Sequence, residues 1–156
     1  MKPNRTLASE IGKKKPFEHP EAEAFLNIMR SASVLAGPFE TLFKEYGLTS
    51  AMYNALRILR GSGERGRMCH EIRDELVSRV PDVTRLVDRL EKSGYAERVR
   101  STQDRRVIHV HITRKGTDIL SKLDEPVLRL HREQMSHMSR KDLAELSRLL
   151  VLARTQ

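Results

Sequence analysis

The stretch from Pro81 to Gly116 constrains the fold more than any other part of the chain, because a helical pattern there ends on a glycine and runs straight into two strand patterns. Within Pro81–Ser93, the residues Val83, Leu86, Val87 and Leu90 fall at i, i+3, i+4 and i+7 and so line one side of a helix. Pro81 suits the first helical position and Gly94 suits the stop. The opposite side carries Asp82, Arg85, Asp88, Arg89 and Lys92. Two strand-like segments follow, Tyr95–Arg100 and Val107–Thr113, the second alternating through Ile108, Val110 and Ile112. The polar link 101–106 turns them into a hairpin whose tip is Asp104-Arg105-Arg106.

The flanking segments are helical. Phe25, Ile28, Met29, Ala32 and Leu35 recur near helical spacing, with Gly37-Pro38 expected to bend or break that helix before Gly47 closes it. Thr49 suits the cap of the next helix, whose buried stripe is Tyr53, Leu56 and Leu59. A turn at 61–66 leads to a short helix over Met68–Leu76, and Val77–Val80 separates it from the Pro81–Ser93 helix by helix-turn-helix spacing. After the hairpin, residues 115–154 are helical again. Pro126 is expected to bend the first of these helices, and Ser139 to cap a last one carrying Leu143, Leu146, Leu149, Leu150 and Leu152. The fold class expected is mainly α with a small β-hairpin, residues 1–18 forming a flexible or extended basic arm.

The charge is placed unevenly on this layout. Residues 79–116 hold ten basic and five acidic groups, so they supply net +5 of the chain's +8. A helix packed on one side and lined with forked donors on the other suits a major groove, and an arginine on a narrow hairpin tip suits a minor groove. A solvated helix face with i,i+3 and i,i+4 ion pairs, and a solvated hairpin, are the plainer alternatives. The order helix, turn, helix, basic hairpin favours a winged helix bound to double-stranded DNA.

The run VTRLVDRLEKSGYAERVR followed by DRRVIHVHITRKG resembles the recognition helix and wing of MarR-family regulators. Their wing pattern, D-x-R, three residues, V-x-[L/I]-T-x-x-G, is met by Asp104, Arg106, Val110, Ile112, Thr113 and Gly116. GLTSAMYNALRILRG is similar to the family's second helix, and the likeness extends over roughly 21–154. The resemblance implies a winged helix-turn-helix at about 48–116 within a domain spanning 19–156, flanked by dimerisation helices at about 20–46 and 116–155. It implies a homodimeric, sequence-specific regulator, a repressor reading a pseudo-palindrome and released by a small-molecule effector or by oxidation. Carried over by position, Pro81, Asp82, Thr84, Arg85, Asp88 and Arg89 form the DNA-facing side of the recognition helix, with Arg89 suited equally to phosphate. Asp104, Arg105 and Arg106 form the wing tip, and Thr49, Ser50 and Arg79 suit phosphate contacts. Family members often place Ser or Thr at the start of the recognition helix; here the sequence is Arg79-Val80-Pro81-Asp82, which leaves the base preference open.

Other signals point away from chemistry. Gly61-Ser62-Gly63-Glu64-Arg65-Gly66 has dinucleotide-loop spacing, but a helical pattern precedes it where a strand is required. Cys69 is the sole cysteine, which excludes an intrachain disulfide and suits a reducing cytoplasm; a helix cysteine and an oxidation sensor beside Arg67, His70 and Arg73 are both open readings. His109/His111 and His131/His137 lack a third ligand at recognisable spacing, so no metal is expected and solvated or phosphate-facing imidazoles are. No catalytic constellation and no cofactor site appears, so an enzyme is not expected. The first twenty residues lack the apolar core of a signal peptide, and no apolar run reaches membrane-spanning length. A non-specific architectural DNA binder is the runner-up to a sequence-specific regulator.

Overall fold

A computed structural model describes residues 6–155, which divide at Thr41/Leu42 into two compact units. The first holds α1 (Leu7–Glu10) and most of α2 (Pro20–Glu45). The basic arm expected over 1–18 lies partly outside the described residues; within them one helical turn forms, with Thr6 accepting from the Ser9 amide and Leu7 buried. Glu10 and Arg30 pair at 3.6 Å. Of the bend or break expected at Gly37-Pro38, the break does not occur: α2 runs through Pro38 without interruption. Proline removes one amide from the helical ladder, and the Thr41 hydroxyl donates to the Gly37 carbonyl at 3.2 Å one turn away. Pro126 likewise stands inside a continuous helix.

The second unit contains α3 (Ser50–Ser62), a 3-10 turn at Gly63–Arg65, α4 (Cys69–Glu75), α5 (Val83–Lys92), β1 (Ala96–Arg100), β2 (Ile108–Ile112), α6 (Arg114–Met135) and α7 (Arg140–Leu152). Its core assembles the apolar stripes read from the sequence. Tyr53, Leu56 and Leu59 of α3 are buried, as are Leu86, Val87 and Leu90 of α5, together with Ile72, Val110, Leu120 and Leu123. Helix α3 packs on α4, α5, α6 and β2, so it is the hub of the unit. Arg60 of α3 reaches Asp124 of α6 through two hydrogen bonds of 2.7 and 2.8 Å, and that guanidinium holds the Asp124 carboxyl below its ordinary range. Thr49, Thr113 and Ser139 cap α3, α6 and α7.

The strands β1 and β2 pair antiparallel, with Ala96 opposite Ile112 and Arg100 opposite Ile108. A third stretch joins the hairpin that sequence periodicity did not reveal: Arg67 forms a bridge to Val110, each amide donating to the other's carbonyl. Gly66 precedes it at φ +66°, where an added Cβ would stand 2.8 Å from the Val110 carbonyl and from the His111 ring. The glycine-rich stretch 61–66 therefore ends a helix and launches a bridge. It does not follow a strand.

At the other end of the hairpin, Gly116 in the first turn of α6 lies against the Tyr95 backbone, and a Cβ there would meet the Tyr95 carbonyl oxygen at 2.2 Å. That same oxygen accepts the Thr113 amide. Gly116→Ala is therefore expected to lower stability by about 3 kcal/mol, since the backbone must move and the Thr113–Tyr95 hydrogen bond must lengthen. Thermal unfolding should shift downward by roughly 10 °C. An unchanged melting temperature would contradict this close approach.

Candidate nucleic-acid interface

The interface is built from α5 and the hairpin that packs on it. Asp82 holds the β conformation and its side chain accepts from the Arg85 amide at 3.0 Å, so it caps α5. Pro81 consequently stands just outside the helix, not at its first position, and the Ser/Thr cap missing from the sequence is replaced by aspartate. Lys115 donates to the Ser93 carbonyl at 2.8 Å, which satisfies the far end of the same helix. Preceding α5, the Val77 amide donates to the Asn54 side chain at 2.8 Å and ties the helix-turn-helix connection to α3.

With the apolar stripe buried, Thr84, Arg85, Asp88 and Arg89 face outward. The Arg85 side chain is 86% exposed and pairs with Asp82 at 3.3 Å. Arg79, Arg89, Lys92, Arg100, Arg105 and Arg106 are exposed and make no ion pair among the described residues. Four of the five acids in 79–116 are engaged, and Glu97 of β1 stands exposed. Asp82 caps the helix; Asp88 pairs with Arg98 of β1 at 2.8 Å; Glu91 pairs with the same guanidinium; Asp104 accepts from the Arg106 amide at 2.9 Å. Burial opposes the Arg98 charge, but its hydrogen bond to Asp88 and the fields of Glu91 and Asp88 outweigh that, leaving its pKa raised. Internal neutralisation of the carboxylates leaves a surface dominated by uncommitted arginines.

The wing tip is a compact turn. Ser101 accepts from the amides of Gln103 and Asp104, and the Ser101 amide donates to Val107. Arg105 and Arg106 project from it exposed. Thr49 caps α3 by accepting from the Met52 amide at 3.2 Å, with Ser50 exposed beside it.

The wing pattern proves to be chiefly architectural. Asp104 closes the tip turn, Val110 is buried, Gly116 permits the close approach to Tyr95, and the Thr113 hydroxyl donates to Gly94 at 2.7 Å while accepting from the Gly116 amide at 3.1 Å. The sequence missed Arg98, whose three acidic and carbonyl partners all lie on α5; a basic residue inward on β1 facing Asp88 and Glu91 was the available signal. Of the imidazoles expected to be solvated or phosphate-facing, His131 and His137 are exposed, whereas His109 and His111 are half-buried with their rings 6.3 Å apart. Among the described residues no group of three His, Cys, Asp or Glu side chains is placed to hold a metal, and no helix is long and apolar enough to cross a membrane.

The family model for SarA/Rot transcriptional regulators matches residues 38–123, which covers α3 through the hairpin and the start of α6. A MarR transcription factor from Planctomyces limnophilus is 36% identical, with 88% of this chain and 99% of that one covered at a TM-score of 0.66. The chain belongs to the MarR family of winged-helix transcription regulators. The transcriptional repressor MprA of Escherichia coli K12 is 27% identical over 119 residues, 69% of this chain and 68% of MprA. The MepR–DNA complex from S. aureus shares the fold at 18% identity and a TM-score of 0.73, covering 83% of this chain and 94% of MepR. As a member of this family the chain is a DNA-binding transcription regulator and not an enzyme.

Proposed function

We propose that the chain is a homodimeric repressor of the cytoplasm that binds a pseudo-palindromic operator through α5 and the wing and is released by a small-molecule effector or by oxidation. The observation that carries the reading is the surface just described, where Asp82, Asp88, Glu91 and Asp104 have partners within the protein and Arg79, Arg89, Arg105 and Arg106 are exposed without an ion pair among the described residues. MprA is a repressor and MepR is complexed with DNA, which supports extending both properties to this chain. Within the reading, Arg85 addresses base edges, Arg89 a base or a phosphate, Arg105 and Arg106 the flanking minor groove, and Arg79, Thr49 and Ser50 the phosphates. Selecting bound duplexes from random DNA tests it: a recovered two-fold symmetric consensus supports an operator reader. Equal recovery of all sequences favours the architectural alternative.

Dimerisation is supported by apolar residues left exposed on α2 and on α7 among the described residues. Phe25 and Met29 on α2 are 61% and 55% exposed, and Leu146, Leu149, Leu150 and Leu152 on α7 are exposed as well. Apolar side chains exposed together along a helix suit a protein–protein interface. A two-fold pair would set two recognition helices about 34 Å apart, one turn of DNA. Light scattering at micromolar concentration should give twice the 18.0 kDa chain mass; a well-ordered monomer would overturn the two-fold arrangement.

A further inference from the structure

Operator binding of this kind needs α5 and the hairpin to meet one duplex together, and a single side chain joins their middles. Arg98 sits centrally in β1, opposite Val110. Its guanidinium grips Asp88 and Glu91 and reaches the Thr84 carbonyl at 3.5 Å, while its backbone amide donates to Glu91 at 2.9 Å. Thr84, Asp88 and Glu91 fall at i, i+4 and i+7, a line along one side of α5. The planar guanidinium fork can hold two carboxylates at once, which a lysine ammonium cannot do with the same geometry. A lone two-stranded hairpin has little rigidity of its own. Its base is fixed where Thr113 bonds Tyr95 and Gly94. Partway along, the Arg67 bridge holds β2 at Val110, and at the same level Arg98 ties β1 to α5 and so sets the hairpin's direction relative to that helix.

We propose, resting on the operator-binding reading above, that Arg98 is a positioning residue that locks the wing to the recognition helix, so that Arg105 and Arg106 reach the minor groove beside the major groove occupied by α5. Its own guanidinium does not contact DNA. The role belongs to the pairing across α5 and β1, and it makes the contribution of the wing tip conditional on Arg98.

A thermodynamic cycle tests this with the full-length dimer and one duplex chosen by selection, at a single salt concentration. In the parent protein Arg106→Ala should weaken binding on the order of tenfold. In an Arg98→Met background the same change should weaken it by roughly twofold or less, because the tip is already misplaced. The carboxylates freed in Arg98→Met repel phosphate and lower its affinity outright, but that repulsion leaves the Arg106 increment at full size. A direct phosphate contact by Arg98 would do the same. A full increment in both backgrounds therefore overturns the positioning role. So does an Arg106→Ala protein that binds as tightly as the parent. Arg98→Lys keeps the charge without the fork and should shrink the increment as Arg98→Met does, which preserves the test if the methionine variant melts too low to assay. Failure of the parent to bind any duplex would sink the operator-binding reading and the positioning role with it; parent binding with additive effects sinks the positioning role alone.

Discussion

Raising the salt from 50 to 200 mM should weaken binding of the dimer to duplex DNA by about three orders of magnitude, if three cations per subunit neutralise phosphates. The estimate follows from counterion release, in which each neutralised phosphate contributes about −0.9 to the slope of log affinity against log salt. The structure supplies more than enough donors: Arg79, Arg89, Lys92, Arg100, Arg105 and Arg106 are exposed and unpaired with acids among the described residues. Arg98 does not belong with them, since Asp88 and Glu91 already compensate it. The slope measured by fluorescence anisotropy should be about −5 or steeper. Substituting Arg79 by alanine should make it shallower by about one for each of the two subunits whose arginine touches phosphate. An affinity independent of ionic strength would overturn the interface.

The fold was legible where one period dominated. The i, i+3, i+4, i+7 stripe of α5 and the alternation of β2 each admit one buried face, and Leu86, Val87, Leu90 and Val110 are buried accordingly. The helix boundaries at Gly47, Thr49, Gly94 and Ser139 were legible because caps and positive-φ glycines act locally. Proline misled for the same local reason. Its cost in a helix is set by one missing amide, and a long helix such as α2 absorbs it at Pro38. The Arg67–Val110 bridge escaped because a single-residue pairing has no period to detect. The candidate site was legible in its cations and illegible in its anions. The engagement of Asp88 and Glu91 depends on pairs ten and seven residues apart across α5 and β1, and no spacing rule for one helix or one strand foretells them. The family pattern in the wing has a different physical basis: Gly116 lies too close to the Tyr95 backbone to admit a side chain, and the Thr113 hydroxyl donates to Gly94 while capping α6.

Arg85→Ala should cost on the order of 1–3 kcal/mol per half-site with the selected operator and much less with scrambled duplex, since a forked contact to a base edge carries sequence information and a phosphate contact does not. Arg85 is the strongest candidate for this role because its backbone lies in the capped first turn of α5 while its side chain stands 86% exposed. Its truncation should leave thermal unfolding nearly unchanged, as the buried stripe at Leu86 and Leu90 is untouched. Asp82→Ala must behave differently from what its place on the helix surface first suggests. Removing the cap from the Arg85 amide should destabilise α5 by about 1 kcal/mol, and it also frees the Arg85 side chain from its 3.3 Å ionic partner. Asp82→Ala should therefore lower the melting temperature measurably while weakening binding to all duplexes, whereas Asp82→Ser, which keeps a capping oxygen without the charge, should recover the stability. Arg106→Ala should weaken binding to all sequences and relax preference only in the flanking minor groove, whose readout is degenerate. The variants are to be compared on operator and scrambled duplexes at one fixed salt concentration, with unfolding followed in parallel. Equal losses on both duplexes for Arg85→Ala would mean that α5 grips the backbone without reading bases, and specificity would then have to reside in the shape of the DNA.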